Sequence, residues 1–126
     1  MSEYKQEGDL FSGINTVKDA KNMTDLEKKH VPVISAPKQV KKGEPFEATV
    51  EVGKHMKHPN TVGHFIQWVE LYAGDILLGR AEFVPEFSDP KATFTVMLKY
   101  NYPLIAKERC NLHGLWSSGP LSIKVV

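Results

Sequence analysis

From Val31 to the C-terminus, Gly, Pro, Asn and Asp recur at short intervals, and the runs between them are brief and rich in Val, Ile, Thr and aromatic residues. That spacing limits what can form. A packed helix generally needs about ten residues or more, whereas a strand needs only about four to eight. Runs of strand length bounded by turn residues are the mark of an all-β fold. Seven of them are candidate strands. V-P-V-I-S-A (31–36) contains Pro32, which cannot donate to a ladder and so belongs at an edge or a strand start. F-E-A-T-V-E-V (46–52) alternates, with Phe46, Ala48, Val50 and Val52 on one face. F-I-Q-W-V-E-L-Y (65–72) is apolar on both faces and should be central, and I-L-L-G-R-A-E-F (76–83) follows it through the tight connection A-G-D, which predicts a hairpin. A-T-F-T-V-M-L-K (92–99) points Phe94, Val96 and Leu98 one way; L-I-A-K-E-R (104–109) and L-S-I-K-V-V (121–126) complete the set. Seven short strands predict a β-sandwich of immunoglobulin-like architecture, without the Cys–Trp–Cys pattern of antibody domains.

Residues 1–26 differ in character. They are polar, mixed in charge and poor in β-branched residues, and Thr16–Lys29 has room for a helical turn or two. This predicts a mostly irregular N-terminal arm or loop (1–26) ahead of a β-sandwich domain (27–126).

Several function classes are disfavoured. A formal net charge of +1 gives no global field to attract nucleic acid or an acidic membrane surface. No apolar run approaches the ~20 residues of a membrane-spanning helix. The N-terminus M-S-E-Y-K-Q-E-G-D-L lacks the basic start and apolar core of a secretory signal. The single cysteine excludes an internal disulfide, which is compatible with a reducing cytoplasm.

The histidines carry the chemistry. His30 stands at the entry to the first expected strand. His55, His58 and His64 share one loop, and Cys110 and His113 share the loop after the sixth strand. Loops at one end of a sandwich cluster in space, so three distant segments can meet at a point. Imidazole suits Fe, Cu, Zn and Ni, and a thiolate adds a softer donor. The C-x-x-H spacing lets both side chains of one turn reach the same ion, and Gly114 lets the backbone turn sharply behind them. One thiolate with four or five imidazoles exceeds a tetrahedral structural zinc site. It suits an iron with imidazoles in a plane, sulfur on one axis and the other axis open.

Three stretches together, E-K-K-H-V-P-V-I (27–34), V-G-K-H-M-K-H-P-N-T-V-G-H-F-I-Q-W-V-E-L-Y (52–72) and C-N-L-H-G-L-W (110–116), resemble the signatures of the superoxide reductases, and more closely those of the one-iron neelaredoxin type within the desulfoferrodoxin family. The resemblance implies a seven-stranded immunoglobulin-like sandwich. It also implies a mononuclear non-haem iron held by His30, His58, His64 and His113 in the plane and by Cys110 on the axis. His55 matches no ligand. The four-cysteine centre of the two-iron relatives cannot be present in a chain with Cys110 alone. The implied reaction reduces superoxide by one electron, with two protons, to hydrogen peroxide. The implied electron donor is a small carrier such as rubredoxin, and the implied assembly is a homotetramer. Lys29 matches the family's functional lysine, which would attract the anion, and Lys28, Lys54 and Lys57 could extend a basic rim. Backbone N–H groups of Leu112 and His113 are expected to point at the Cys110 sulfur.

One position departs from the family pattern, in which Glu-Lys-His places a carboxylate that caps the ferric iron. Here Lys28 stands before Lys29, and the glutamate is one residue earlier, at Glu27. Either Glu27 reaches in from a shifted loop or solvent takes the sixth position; a lysine cannot ligate while protonated, which favours solvent. Two rival classes follow from the same residues. A cupredoxin-like electron carrier would use two histidines, Cys110 and a weak axial methionine, yet Met97 precedes Cys110 and no methionine follows it. A plain immunoglobulin-like binding module would leave the histidines incidental. Trp68 and Trp116 are expected in packing, with Trp116 able to shield one face of the site.

Overall fold

The structure, a computed structural model, describes residues 9–126, so the first eight residues of the expected arm lie outside it. One short helix, α1 (Asp25–His30), precedes nine strands among the described residues: β1 (Pro32–Ser35), β2 (Gln39–Val40), β3 (Phe46–Val52), β4 (Ile66–Ala73), β5 (Ile76–Glu82), β6 (Lys91–Val96), β7 (Leu104–Cys110), β8 (Gly114–Ser117) and β9 (Lys124–Val125). They form a three-stranded sheet in the order β1-β3-β6, a four-stranded sheet in the order β5-β4-β7-β8, and a two-residue parallel pairing of β2 with β9.

Alternation decides which faces meet. Ala48, Val50 and Val52 of β3 turn inward with Val96 of β6, against Val69, Leu71 and Ala73 of β4 and Leu104 and Ala106 of β7. These side chains are almost wholly withdrawn from water, and each Val or Leu so buried contributes roughly 1.5–3 kcal/mol before entropy is counted. β4 is central, as its two-sided apolar character predicts, since it pairs antiparallel with both β5 and β7. Its outer face is covered by its neighbours' polar side chains. The Arg80 guanidinium lies 4.2 Å from the Trp68 ring and pairs with Glu70 at 2.7 Å, and Lys107 lies over Tyr72. The β4–β5 hairpin turns through Gly74 and Asp75, with Gly74 at φ +59.

Strand placement departs from expectation in four places, the first being β2 (Gln39–Val40), which lies in none of the seven expected runs. The run at 92–99 is paired only as Lys91–Val96, although Leu98 beyond it remains buried. The run at 121–126 shrinks to Lys124–Val125, because Leu121 is taken up by a single bridge to Leu104 and the chain end pairs with β2. β8 was hidden inside the C-N-L-H-G-L-W stretch, where four residues are too few to declare a strand. Pro32 opens the edge strand β1, as its missing N–H requires. The division expected between residues 26 and 27 falls inside α1.

Register sets the site. β1 begins at Pro32 opposite Val52, the last residue of β3, and β4 begins at Ile66 opposite Cys110, the last of β7. The segments bearing His30, His58, His64, Cys110 and His113 therefore emerge at one end of the sandwich.

At Gly79 in β5 the Phe94 ring of the facing sheet packs closely: an added Cβ would lie 2.5 Å from it. Gly79→Ala is expected to cost about 1–3 kcal/mol through overpacking, read by urea unfolding. Gly119→Ala, with nothing within 4 Å of the added Cβ, should be neutral or slightly stabilising. Equal behaviour of the two variants would show that the sheets do not close on Phe94.

Candidate metal centre

Each histidine is aimed by its own segment. Thr24 caps α1 in a reciprocal box with Glu27: the Thr24 hydroxyl accepts from Glu27 N–H, and Glu27 Oε1 accepts from Thr24 N–H at 2.9 Å. The helix ends at Val31, ahead of Pro32, and leaves His30 in its last turn. There His30 Nδ1 donates to Leu26 O at 2.7 Å, which turns Nε2 outward. In the β3–β4 loop, His58 Nδ1 donates to Pro59 O at 2.6 Å and presents its own Nε2. Gly53, at φ +83, permits the tight start of that loop, where a Cβ would collide with the His58 backbone. The His64 backbone is pinned to Thr61 by a two-way amide–carbonyl pair.

The four rings form a square. Neighbouring centroids lie 4.7 Å (His30–His58), 4.7 Å (His58–His64), 5.0 Å (His64–His113) and 4.8 Å (His113–His30) apart. Adjacent rings are steeply inclined, whereas the diagonal pair His30–His64 is separated by 6.5 Å and inclined by only 28°. Cys110 Sγ lies 3.4 Å from His58 Nε2 and 3.7 Å from His113 Nδ1. Those atoms sit on opposite corners, so the sulfur stands over the middle of the square and not beside one edge. The donor atoms of His30, His58, His64 and Cys110 all lie within 4.8 Å of one another, and His113 Nδ1 joins them at 3.2 Å from His30 Nε2. Half the diagonal, less the ring radius, is of the order of a metal–imidazole bond, ~2.0–2.1 Å.

Proton positions make the fit stronger. A carbonyl oxygen can only accept, so the protons of neutral His30 and His58 are on Nδ1. Their Nε2 atoms, 3.2 Å apart, therefore face each other as bare lone pairs. Burial, followed by the charge of the neighbouring imidazoles, pushes both side chains down to about 4 despite the opposing carbonyl bonds. His64 is also lowered, by burial and then by His113 and Lys29, and its Nε2 is buried without a hydrogen-bond partner. Lone pairs converging with no proton between them repel, and a cation at the centre removes that repulsion. The residues present thus fit a metal ion with four nitrogen donors and one sulfur donor.

The sulfur is buried, and burial raises the Cys110 thiol; the backbone amides of Leu112 and His113 pull it back, as their place in the turn predicts, and Glu108 raises it again. Trp116 backs the site: its ring lies 5.1 Å from His30 at 22°, and its Nε1 donates to His113 O at 3.0 Å. Lys29 is the lysine whose charge acts on both His58 and His64. His55 is exposed and stands outside the square.

Glu27 is committed elsewhere. Besides the capping box, its Oε2 accepts from Lys18 N–H at 3.1 Å, and these backbone donors, Thr24 before Lys18, hold its carboxyl below the usual range. The residue is buried in that role.

Other residues of the quoted motifs act as staples. Asn111 Oδ1 accepts from Phe65 N–H at 2.9 Å and its Nδ2 donates to Gly63 O at 2.9 Å, tying the Cys110 segment to the His64 segment. Asn60 Nδ2 donates to Ser88 O and its Oδ1 accepts from Glu86 N–H, which anchors the His58 loop to the turn at 84–88. Glu108, fully buried on the inward face of β7 with neither oxygen partnered, is held well above the usual carboxylate range by burial. Nothing in its sequence context announced it.

Comparison with known proteins agrees with this geometry. A sequence model of the desulfoferrodoxin family matches residues 22–119. A superoxide reductase of Pyrococcus abyssi is 39% identical over 99 residues, covering 71% of this chain and 84% of that one. Neelaredoxin of Megalodesulfovibrio gigas is 34% identical over 108 residues, covering 71% and 83% respectively. A solved superoxide reductase (neelaredoxin) from Ignicoccus hospitalis superposes with a TM-score of 0.78 at 39% identity, over 97% of this chain and 100% of that one. With the family match spanning most of its length and its histidine–cysteine cluster in place, the chain belongs to the desulfoferrodoxin family.

Proposed function

We propose that this protein is a superoxide reductase, which adds one electron and two protons to superoxide to give hydrogen peroxide at a mononuclear non-haem iron. The observation that carries the reading is the square of imidazoles under a centred sulfur, with unprotonated Nε2 atoms of His30 and His58 turned inward. The imidazoles of His30, His58, His64 and His113 and the Cys110 thiolate would hold that iron. When bound, the iron would supply one-electron chemistry to a small anion.

The protein's own groups set the conditions for that step. Leu112 and His113 amides stabilise negative charge on Cys110 Sγ. Trp116 and the hydrogen bonds from His30 and His58 to carbonyls fix the rings, so that reorganisation is small when charge changes at the centre. Lys29 draws superoxide in, and its ammonium Nζ can hand a proton through water to the departing oxygen. Glu27, bound to two backbone amides, is engaged away from the cluster, so solvent and not this carboxylate would complete the metal's ligand set.

A cupredoxin-like carrier fits less well. Four imidazoles surround the sulfur where such a site uses two, and Met97, the methionine nearest to Cys110 in sequence, is 59% exposed. The reaction consumes an electron, which a donor must supply; the family resemblance implies a small carrier such as rubredoxin. The family resemblance implies a homotetramer, and Ile76 and Leu77 stand exposed on the edge strand β5. Among the described residues no helix is long and apolar enough to cross a membrane. The lone thiol is compatible with a cytoplasmic location.

Three outcomes check the reading. The purified protein should hold one iron per chain and show a thiolate-to-iron absorption band on oxidation. The reduced form should consume superoxide and release peroxide, and Cys110→Ser should lose the band; a wild-type chain without iron affinity would sink the proposal. Lys29→Ala should slow the encounter by about tenfold and flatten its dependence on ionic strength, so an unaltered salt response in stopped-flow traces removes Lys29 from steering. Glu27→Ala should leave the visible spectrum of the oxidised protein unchanged while lowering thermal stability by about 1 kcal/mol through loss of the cap. A clear band shift would mean that Glu27 is a ligand after all.

A further inference from the structure

Asn15 lies outside the segment matched to the family, residues 22–119, and yet it is only 4% exposed. Its backbone adds a parallel bridge to the free edge of β8: Asn15 N–H donates to Leu115 O at 2.8 Å, and Ser117 N–H donates to Asn15 O at 2.9 Å. Its side chain turns back into the ligand turn. Nδ2 lies 2.8 Å from Leu10 O, 2.9 Å from Leu115 O and 3.5 Å from His113 O. Three carbonyls surround the NH2 group, so the opposite orientation of the amide would set oxygen against oxygen.

This hook draws the arm hard onto Gly114. A Cβ there would collide with the Leu10 carbonyl, and Gly114 has φ +78. The glycine of C-N-L-H-G-L-W is therefore required twice, for its left-handed backbone and for the close approach of the arm. The turn is held from two directions: Trp116 Nε1 donates to His113 O at 3.0 Å, and Asn15 Nδ2 donates to Leu10 O and Leu115 O while standing 3.5 Å from His113 O. That grip fixes the peptide plane following His113, and with it the aim of His113 Nδ1 and of the amides that point at Cys110 Sγ.

We propose that Asn15 is a positioning residue of the metal centre, and that the N-terminal arm is part of the site's supporting shell through the amide contacts it makes to residues 113–115. The inference rests on the metal-centre reading above. It predicts that removing the donor changes the metal's sulfur bond and the rate at which metal leaves.

The test uses the full chain loaded with iron and, separately, with cobalt(II) as a spectroscopic probe. Asn15→Ala removes the amide, and Asn15→Asp keeps its shape but replaces the donor with an acceptor. Both are expected to shift the thiolate-to-metal band and to release metal to a chelator about tenfold faster, as loss of a group that orients a ligand typically does. Ile14→Ala, at a partly exposed neighbour on the same arm, should change neither. Unshifted bands and unchanged release in both Asn15 variants overturn the proposal, as does Asn15→Asp behaving like the wild type. A second measurement needs no variant. Because coupling is reciprocal, metal loading of the wild-type chain should slow hydrogen exchange at the amides of Asn15 and Ser117, and exchange indifferent to metal overturns the proposal. If wild-type protein binds neither ion, the metal-centre reading falls and this inference with it; if it binds both with an arm-independent band, this inference alone falls.

Discussion

Two imidazole nitrogens without protons, held 3.2 Å apart in a buried setting, are an arrangement that a protein does not keep for packing. The Nδ1–H bonds to Leu26 O and Pro59 O leave His30 and His58 no freedom to relieve the repulsion by exchanging tautomers. Burial blocks the other escape, protonation, by pushing both side chains down to about 4. A cation is the remaining solution. The free energy it gains from five ready donors is coupled to keeping three separate segments of chain at one end of the sandwich.

The scaffold meets that demand with short polar ties and not with a thick apolar wall. The Thr24–Glu27 box starts the helix that ends in His30. Asn60 braces the His58 loop against the turn at 84–88, and Asn111 joins the His64 and Cys110 segments through two hydrogen bonds. Each tie is worth about 1 kcal/mol in isolation. Their effect is geometric, since a ring displaced by a few tenths of an ångström no longer points at the common centre. Glu27 illustrates how role follows from position: one residue earlier than the family's carboxylate, it reaches the backbone of Lys18 and Thr24 and is spent on holding the helix.

Much of this was legible in residue types and spacing. The alternation of β3, the two-sided character of β4 and the proline at the head of β1 are local properties of the chain, and they come out where expected because nothing in the tertiary structure competes with them. The ligand types stood in three quoted motifs. The short strands β2 and β8 were not legible, because strands of two to four residues exist only by virtue of the partner they meet. Glu108 was not legible either; a charged residue between Lys107 and Arg109 reads as surface until the pleat turns it inward beside Ala106 and Cys110.

By itself, the sequence determined that the chain would be all-β and that four histidines and one cysteine stood in three segments able to meet. Periodicity and turn chemistry act over a few residues and need no knowledge of the rest of the molecule. Only the tertiary structure decided which nitrogen of His30 and His58 faces the centre, that the sulfur stands over the middle of the square, that Glu27 caps a helix, and that Asn15 grips the turn after His113. Those depend on contacts between residues as much as 100 positions apart, and a hydrogen bond of that kind is fixed by where the strands place its two ends.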